Sequence, residues 1–177
     1  MKREDVRRGF VIRDPDPVWG TVDDDALHVV LVAPEIPGNT GSIGRLCAGA
    51  NLWLHLVRPL GFELDNRYLK RAGLDYWPHV NLCVHDSFEA IKQTFGRDRL
   101  WLFSKKADRL YTDATYLPGA VLVFGRETRG LDETLLDHYA DRCVRIPITD
   151  KIRSLNLANA CSIAVYEALR QLDYAPI

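Results

Sequence analysis

The chain has 177 residues, 47% of them hydrophobic and 27% charged, with a formal net charge of −1. That is enough for one domain with a sizeable core and too mixed for wholesale disorder. No apolar run approaches the roughly 20 residues of a membrane helix, and the near-neutral charge excludes a global basic footprint, so any nucleic-acid contact must rest on local patches.

Residues 1–26 hold five basic and seven acidic side chains, with DPDP and DDD runs and no helical or strand period. They read as an extension, poorly ordered or draped on the surface, ahead of a domain over residues 27–177. The opening MKREDVRRGF lacks the apolar stretch of a secretory signal, so the expected compartment is the cytoplasm.

From residue 27 the pattern becomes regular. LHVVLVA (27–33) is a short β-branched run, hence a buried strand. PEIPGNTG (34–41) reads as a loop, and residues 42–51 as a helix capped by Ser42 or Thr40. A second strand covers 54–57, a short basic helix 64–72, and a third strand 81–85. Ser87 caps a helix to about Phe95; strands follow over 100–104 and 120–125, a helix over 132–139, and a strand over 143–148. The final helix, 156–172, sets Leu157, Cys161, Ala164, Val165, Ala168 and Leu172 on one stripe. Strands alternating with helices predict an α/β domain, a mostly parallel sheet covered on both faces. Such sheets bind ligands beyond the strand C-termini, so the loops after residues 33, 104, 125 and 148 are the places to look.

Four loops stand out. In PEIPGNTG two prolines fix the path and Arg45 follows one turn into the helix. In FGRETRGL, Gly125 ends a buried strand where a missing side chain would admit a flat ligand, with Glu127 and Arg129 behind it. After Ile146-Pro147-Ile148, a polar loop through Ser154 runs into LNLANA, where Asn156 suits an N-cap and Asn159 needs a partner. Lys105, Lys106 and Arg109 make the fourth loop basic. Each also has a plain reading as a turn, a cap or a solvated charge. No dinucleotide fingerprint, P-loop or nucleophile elbow occurs. The five histidines have no metal spacing, and three of the four scattered cysteines sit in apolar segments and read as buried small hydrophobes, so no metal is expected.

Together PEIPGNTGSIGRLCA, FGRETRGL and IPITDKIRSLNLANACSIAVYEA resemble the three motifs of SPOUT RNA methyltransferases, in order and over about residues 27–174. RPLGF and LKRAGLDY make the chain most similar to the stand-alone tRNA (cytidine/uridine-34)-2′-O-methyltransferases. The resemblance does not cover residues 1–26. It implies an α/β-knot fold with a C-terminal trefoil knot, a homodimer, a tRNA partner (a leucine tRNA methylated at wobble nucleotide 34), no membrane, and S-adenosylmethionine as cofactor. By motif position it implies that Phe103, Gly125, Ile146 and Ser154 line the cofactor site, with Leu131, Leu155 and Asn156 as neighbours. Arg45 would be the catalytic arginine, working across the dimer interface. Asn39, Glu127, Arg129 and Asn159 match polar positions, and Tyr166 a tyrosine that meets tRNA or the partner subunit.

A guanidinium is too basic, with a pKa above about 12, to serve readily as a general base. Arg45 is better read as a donor that orients the hydroxyl or anchors a phosphate. For RNA, Arg67, Lys70 and Arg71 form one basic patch, and Tyr76 and Trp77 are possible stacking platforms or else core and interface residues. Two other readings remain at this point: an inactive RNA-binding relative (or one methylating another RNA position), and a flavodoxin-like small-molecule binder.

Overall fold

The computed structural model describes residues 5–7, 10–13, 25–63, 76 and 79–177. The expected basic helix over 64–72, with Arg67, Lys70 and Arg71, and the platform residue Trp77 lie outside the described residues.

Eight strands form one sheet in the order β1-β2-β5-β4-β3-β7-β6-β8. They are β1 (Asp5–Arg7), β2 (Phe10–Arg13), β3 (His28–Val32), β4 (Trp53–Val57), β5 (Asn81–His85), β6 (Leu100–Phe103), β7 (Val121–Phe124) and β8 (Cys143–Val144). Every pairing is parallel except β1 with β2. The parallel strands from β3 onward are buried on both faces, which is why they read as near-continuous Val/Leu runs.

One cluster holds α1 (Pro37–Gly49) and α4 (Leu157–Gln171) against Val29, Leu31, Leu54, Leu56 and Leu122. On the other face, α2 (Phe88–Phe95) and α3 (Glu133–His138) cover Val30, Val57, Leu102 and Val123. The alternation of these two sets along each strand is the period-2 rule at work. The forecast stripe of the last helix holds: Cys161, Ala164, Val165 and Ala168 are fully buried.

Three expectations are corrected. Helix α1 begins at Pro37, not after residue 41. Proline at the first helical position has its φ pre-set and loses no hydrogen bond there, so much of the expected loop is the first turn of the helix. The strand expected over 143–148 pairs with β6 only at Cys143–Val144, where β6 ends at Phe103; Arg145 goes on to a single parallel bridge with Leu110, and Pro147 has no N–H to extend it. The extension contains strands: β2 runs parallel to β5, with Ile12 opposite Leu82 and Arg13 opposite Cys83, and β1 folds back on it. Backbone pairing at a sheet edge needs no long alternating pattern.

A row of imidazoles crosses the α2 face. His28 Nδ1 lies 3.0 Å from His55 Nε2, and His55 Nδ1 lies 3.0 Å from His85 Nε2. All three rings are fully buried, and Phe95 packs on the first two. Burial, with Arg99 nearby, lowers His28 to about 3. Burial and its two neighbouring rings hold His55 well below the usual imidazole value. Burial lowers His85 to about 4 against the opposing pull of Asp86. The row is therefore neutral at physiological pH. The outer nitrogens, His28 Nε2 and His85 Nδ1, find no partner among the described residues.

Candidate cofactor and RNA-binding site

The strand order reverses between β3 and β7, where the chain first builds outward through β4 and β5 and then returns on the other side. A parallel sheet opens a crevice at such a switch point, beyond the strand C-termini. The loops there, after Val32 and Phe124, meet the segment leading into α4 and enclose a cavity of about 430 Å³. That lies within the ~300–1,000 Å³ span of small-molecule sites.

The loops are tied by a reciprocal exchange. Glu127 accepts from the backbone N–H of Glu35 (2.8 Å), that of Ile36 (3.1 Å) and Asn39 Nδ2 (3.1 Å). Its carboxylate thus caps α1, whose N-cap Ile36 has no side chain able to do so. Glu35 in return accepts from the N–H (3.1 Å) and hydroxyl (2.8 Å) of Thr128. Asn156 Nδ2 donates to Asn39 Oδ1 at 2.9 Å, while Asn156 Oδ1 caps α4 through the N–H groups of Ala158 and Asn159. One polar relay therefore joins all three motif loops. Ala33, at the end of β3, takes a left-handed φ of 51°, costly for a residue with a Cβ and found where the chain must turn sharply out of the sheet.

The cavity is lined by Phe103, Gly125, Leu131, Ile146, Ser154, Leu155 and Asn156, and by Asn39, Glu127 and Arg129. Those expected residues are brought together. Phe103 stacks on Phe124 with ring centroids 4.7 Å apart, forming an aromatic wall. The reason for Gly125 differs from the one expected. A Cβ there would fall inside the backbone of Gly130 and Leu131, so the glycine lets its own loop fold back rather than only admitting a ligand. Gly130, with φ 72°, completes that turn.

Arg45, Asn159 and Tyr166 do not line the cavity. Arg45 is exposed on α1, its guanidinium carbon 5.4 Å from the centre of the Tyr76 ring. Asn159 is exposed, not a buried amide; its backbone, rather than its side chain, makes the capping contact with Asn156. Tyr166 is half exposed on α4 beside exposed Ile163. Tyr76 is not a free platform for a base: it is partly buried against the core, and its hydroxyl donates to Gly41 O at 2.7 Å.

Sequence reasoning missed Glu35 and Thr128, whose bonds span 93 residues. It also missed the role of Gly61 in RPLGF. A Cβ there would lie 2.7 Å from Glu35 Cα, and its N–H donates to Pro34 O at 2.9 Å, so this glycine lets a neighbouring loop back the first motif. The only available signal was the glycine itself.

The rim is basic. Lys105, Lys106, Arg126, Arg129 and Arg153 surround the opening, with Lys106 paired to Glu133 and Lys105 donating to Arg153 O at 3.1 Å. Inside, Leu131, Ile146, Ile148 and Leu157 supply apolar surface, and the 125–131 and 146–156 segments supply main chain. Such a site suits a ligand with a flat apolar part and a polar tail.

A model of the SpoU rRNA Methylase family matches residues 26–166. The chain belongs to that family. A relative from Saccharophagus degradans, 45% identical over 149 residues (84% of this chain and 97% of its own), is named tRNA (cytidine(34)-2′-O)-methyltransferase. A solved structure described as "Structural insights into the 2-OH methylation of C/U34 on tRNA" is 46% identical and superposes with a TM-score of 0.78 over 85% of this chain and 98% of its own. The SpoU methyltransferase AviRb of Streptomyces viridochromogenes, solved with AdoMet, is 25% identical, with a TM-score of 0.74 over 90% of this chain and 66% of its own. The SpoU family match begins at residue 26, so it leaves the β1–β2 hairpin outside.

Proposed function

We propose that this chain transfers a methyl group from S-adenosylmethionine to the ribose 2′-hydroxyl of nucleotide 34 of a tRNA, a leucine tRNA by the family resemblance, and that it works in the cytoplasm as a homodimer with a knotted C-terminal segment. The carrying observation is the switch-point cavity, closed by three loops joined through Glu127, Asn39 and Asn156, in a chain 45% identical to a named tRNA methyltransferase. No helix among the described residues is long and apolar enough to cross a membrane.

The residues present fit the cofactor. Main chain of 125–131 and 146–156 would hold its polar groups, Leu131 and Ile146 its base, and Phe103 with Gly125 the wall beside it. When bound, the cofactor supplies an electrophilic methyl on a sulfonium. The protein's own tasks are alignment of the hydroxyl and care of its proton. Arg45 would orient the hydroxyl or hold an adjacent phosphate, with the proton leaving to phosphate or water. Arg45 lies outside the cavity of its own chain, so in this reading a second copy would bring its Arg45 to the site, as the expected dimer allows. Exposed Tyr166 and Ile163 on α4 would belong to that interface or to the tRNA. Arg129 and Arg153 at the rim suit RNA phosphates.

Incubation with labelled S-adenosylmethionine and total tRNA, then nucleoside mapping, tests this reading. Label at the 2′-oxygen of nucleotide 34 is expected. Cofactor binding without transfer would reveal an inactive RNA-binding relative, and label elsewhere a different target. Light scattering should give twice the 20.1 kDa chain mass; an active monomer would undo the role given to Arg45.

A further inference from the structure

We propose that Tyr76 is a positioning residue for methyl transfer, acting through Arg45; this rests on the role proposed for Arg45 above. Tyr76 holds the arginine at two points. Its hydroxyl donates to Gly41 O at 2.7 Å. In an α-helix that carbonyl is also the acceptor for the N–H four residues on, which is Arg45. The tyrosine thus grips the helical turn from which Arg45 projects. Its ring lies under the guanidinium, 5.4 Å from centroid to carbon, within cation–π reach.

The kind of partner matters. No carboxylate among the described residues forms an ion pair with Arg45. A carboxylate would steady the arginine but occupy its N–H donors. An aromatic face steadies it by stacking and leaves the in-plane N–H groups available for a hydroxyl or phosphate. Tyr76 is itself anchored, being packed on the α1–α4 core cluster. Arg45, by contrast, is exposed, and a long side chain there would otherwise sample many rotamers. The structure therefore shows an arginine held in orientation with its donors unspent, as a group acting on a second molecule requires.

The test is single-turnover methylation of tRNA at saturating S-adenosylmethionine, with cofactor affinity measured alongside. Four variants are compared: Tyr76→Phe, Tyr76→Leu, Arg45→Ala and the Tyr76→Leu/Arg45→Ala pair. Tyr76→Leu should lower the transfer rate about five- to tenfold with cofactor affinity unchanged. Tyr76→Phe keeps the ring and should recover most of that loss. With Arg45→Ala already present, Tyr76→Leu should cost nothing more. Wild-type turnover in Tyr76→Leu, with Arg45→Ala inactive, overturns the proposal alone. So does an equal loss in both backgrounds, or a rate that falls only in step with cofactor affinity, since either marks Tyr76 as a general support of the fold. Wild-type turnover in Arg45→Ala overturns the role of Arg45 and this inference with it.

Discussion

Two chains of hydrogen-bonded side chains run through this domain, and they are built on opposite terms. At the loop end of the sheet, Glu35, Glu127, Asn39 and Asn156 join three segments through carboxylates and amides. On the α2 face, His28, His55 and His85 join three strands through neutral rings alone. The first is partly exposed and lies at the cavity; the second is fully buried and begins at the other end of the strand that feeds it, with His28 opening β3. In the first, acceptor-only oxygens meet donors on every side, so its members cannot be exchanged for look-alikes. In the second, every ring can donate or accept, so the pattern is kept only while no ring is charged. Polar groups at the loop end hold a shape, whereas those in the layer below hold a protonation state.

Breaking the loop end should have the largest effect. Gly125→Ala drives a methyl group into the backbone of Gly130 and Leu131. We expect cofactor binding to be lost in calorimetry and stability to fall by about 1–3 kcal/mol, the scale of overpacking. Wild-type affinity would mean that the 125–131 loop yields easily and does not shape the site.

Glu127→Gln is a gentler break. It keeps the shape but turns one acceptor toward donors already in place, from Glu35 and Ile36 N–H or Asn39 Nδ2. An unmatched donor costs about 1–3 kcal/mol when fully buried and less at these part-buried bonds, so a several-fold loss of cofactor affinity is expected in the same titration. Unchanged affinity would show that the relay is not needed to form the cavity.

Acid sharpens the other side of the comparison. The folded-state values of His28, His55 and His85 lie below the ordinary imidazole value, so the folded chain binds fewer protons there than the unfolded one. Stability is then full above about pH 6.5 and declines as pH falls toward 4, by about 1 kcal/mol per pH unit for each ring that stays neutral. Glu133 and Glu167, with lowered values, add stability that is present above the ordinary carboxylate range and is lost only as pH falls below it, so they do not affect melts at pH 7 to 5. Urea melts at pH 7, 6 and 5 should show this decline, and a His55→Leu variant should show a shallower one. A flat profile in the wild type would mean that the rings are as easily charged in the fold as outside it.

Much of this was legible from local pattern. The parallel strands from β3 onward read from short Val/Leu runs, and Asn156 as a cap from the apolar stripe behind it. The residues of the cavity were legible through motif order. What stayed hidden depends on partners remote in the chain. Glu127 as the cap of α1, Glu35 on Thr128, and the imidazole row at separations of 27 and 30 residues carry no periodic signal. In the sequence, His28, His55 and His85 show only that they lack metal spacing. The helical start at Pro37 was masked by glycines and prolines that usually mark loops.

The bond between Asn39 and Asn156 has a consequence for the order of events in synthesis. It closes a span of 117 residues. Loop-closure entropy grows by only about 0.6 kcal/mol per doubling of length, so such a span is affordable once its ends exist. They coexist only after Asn156 has been made, at a ribosome speed of about 5–20 residues per second. Until then the β3–α1 loop has its carboxylate partner but not its amide one. The site is thus completed last on its α4 side, and a chain stopped before Asn156 would carry all eight strands and an open crevice.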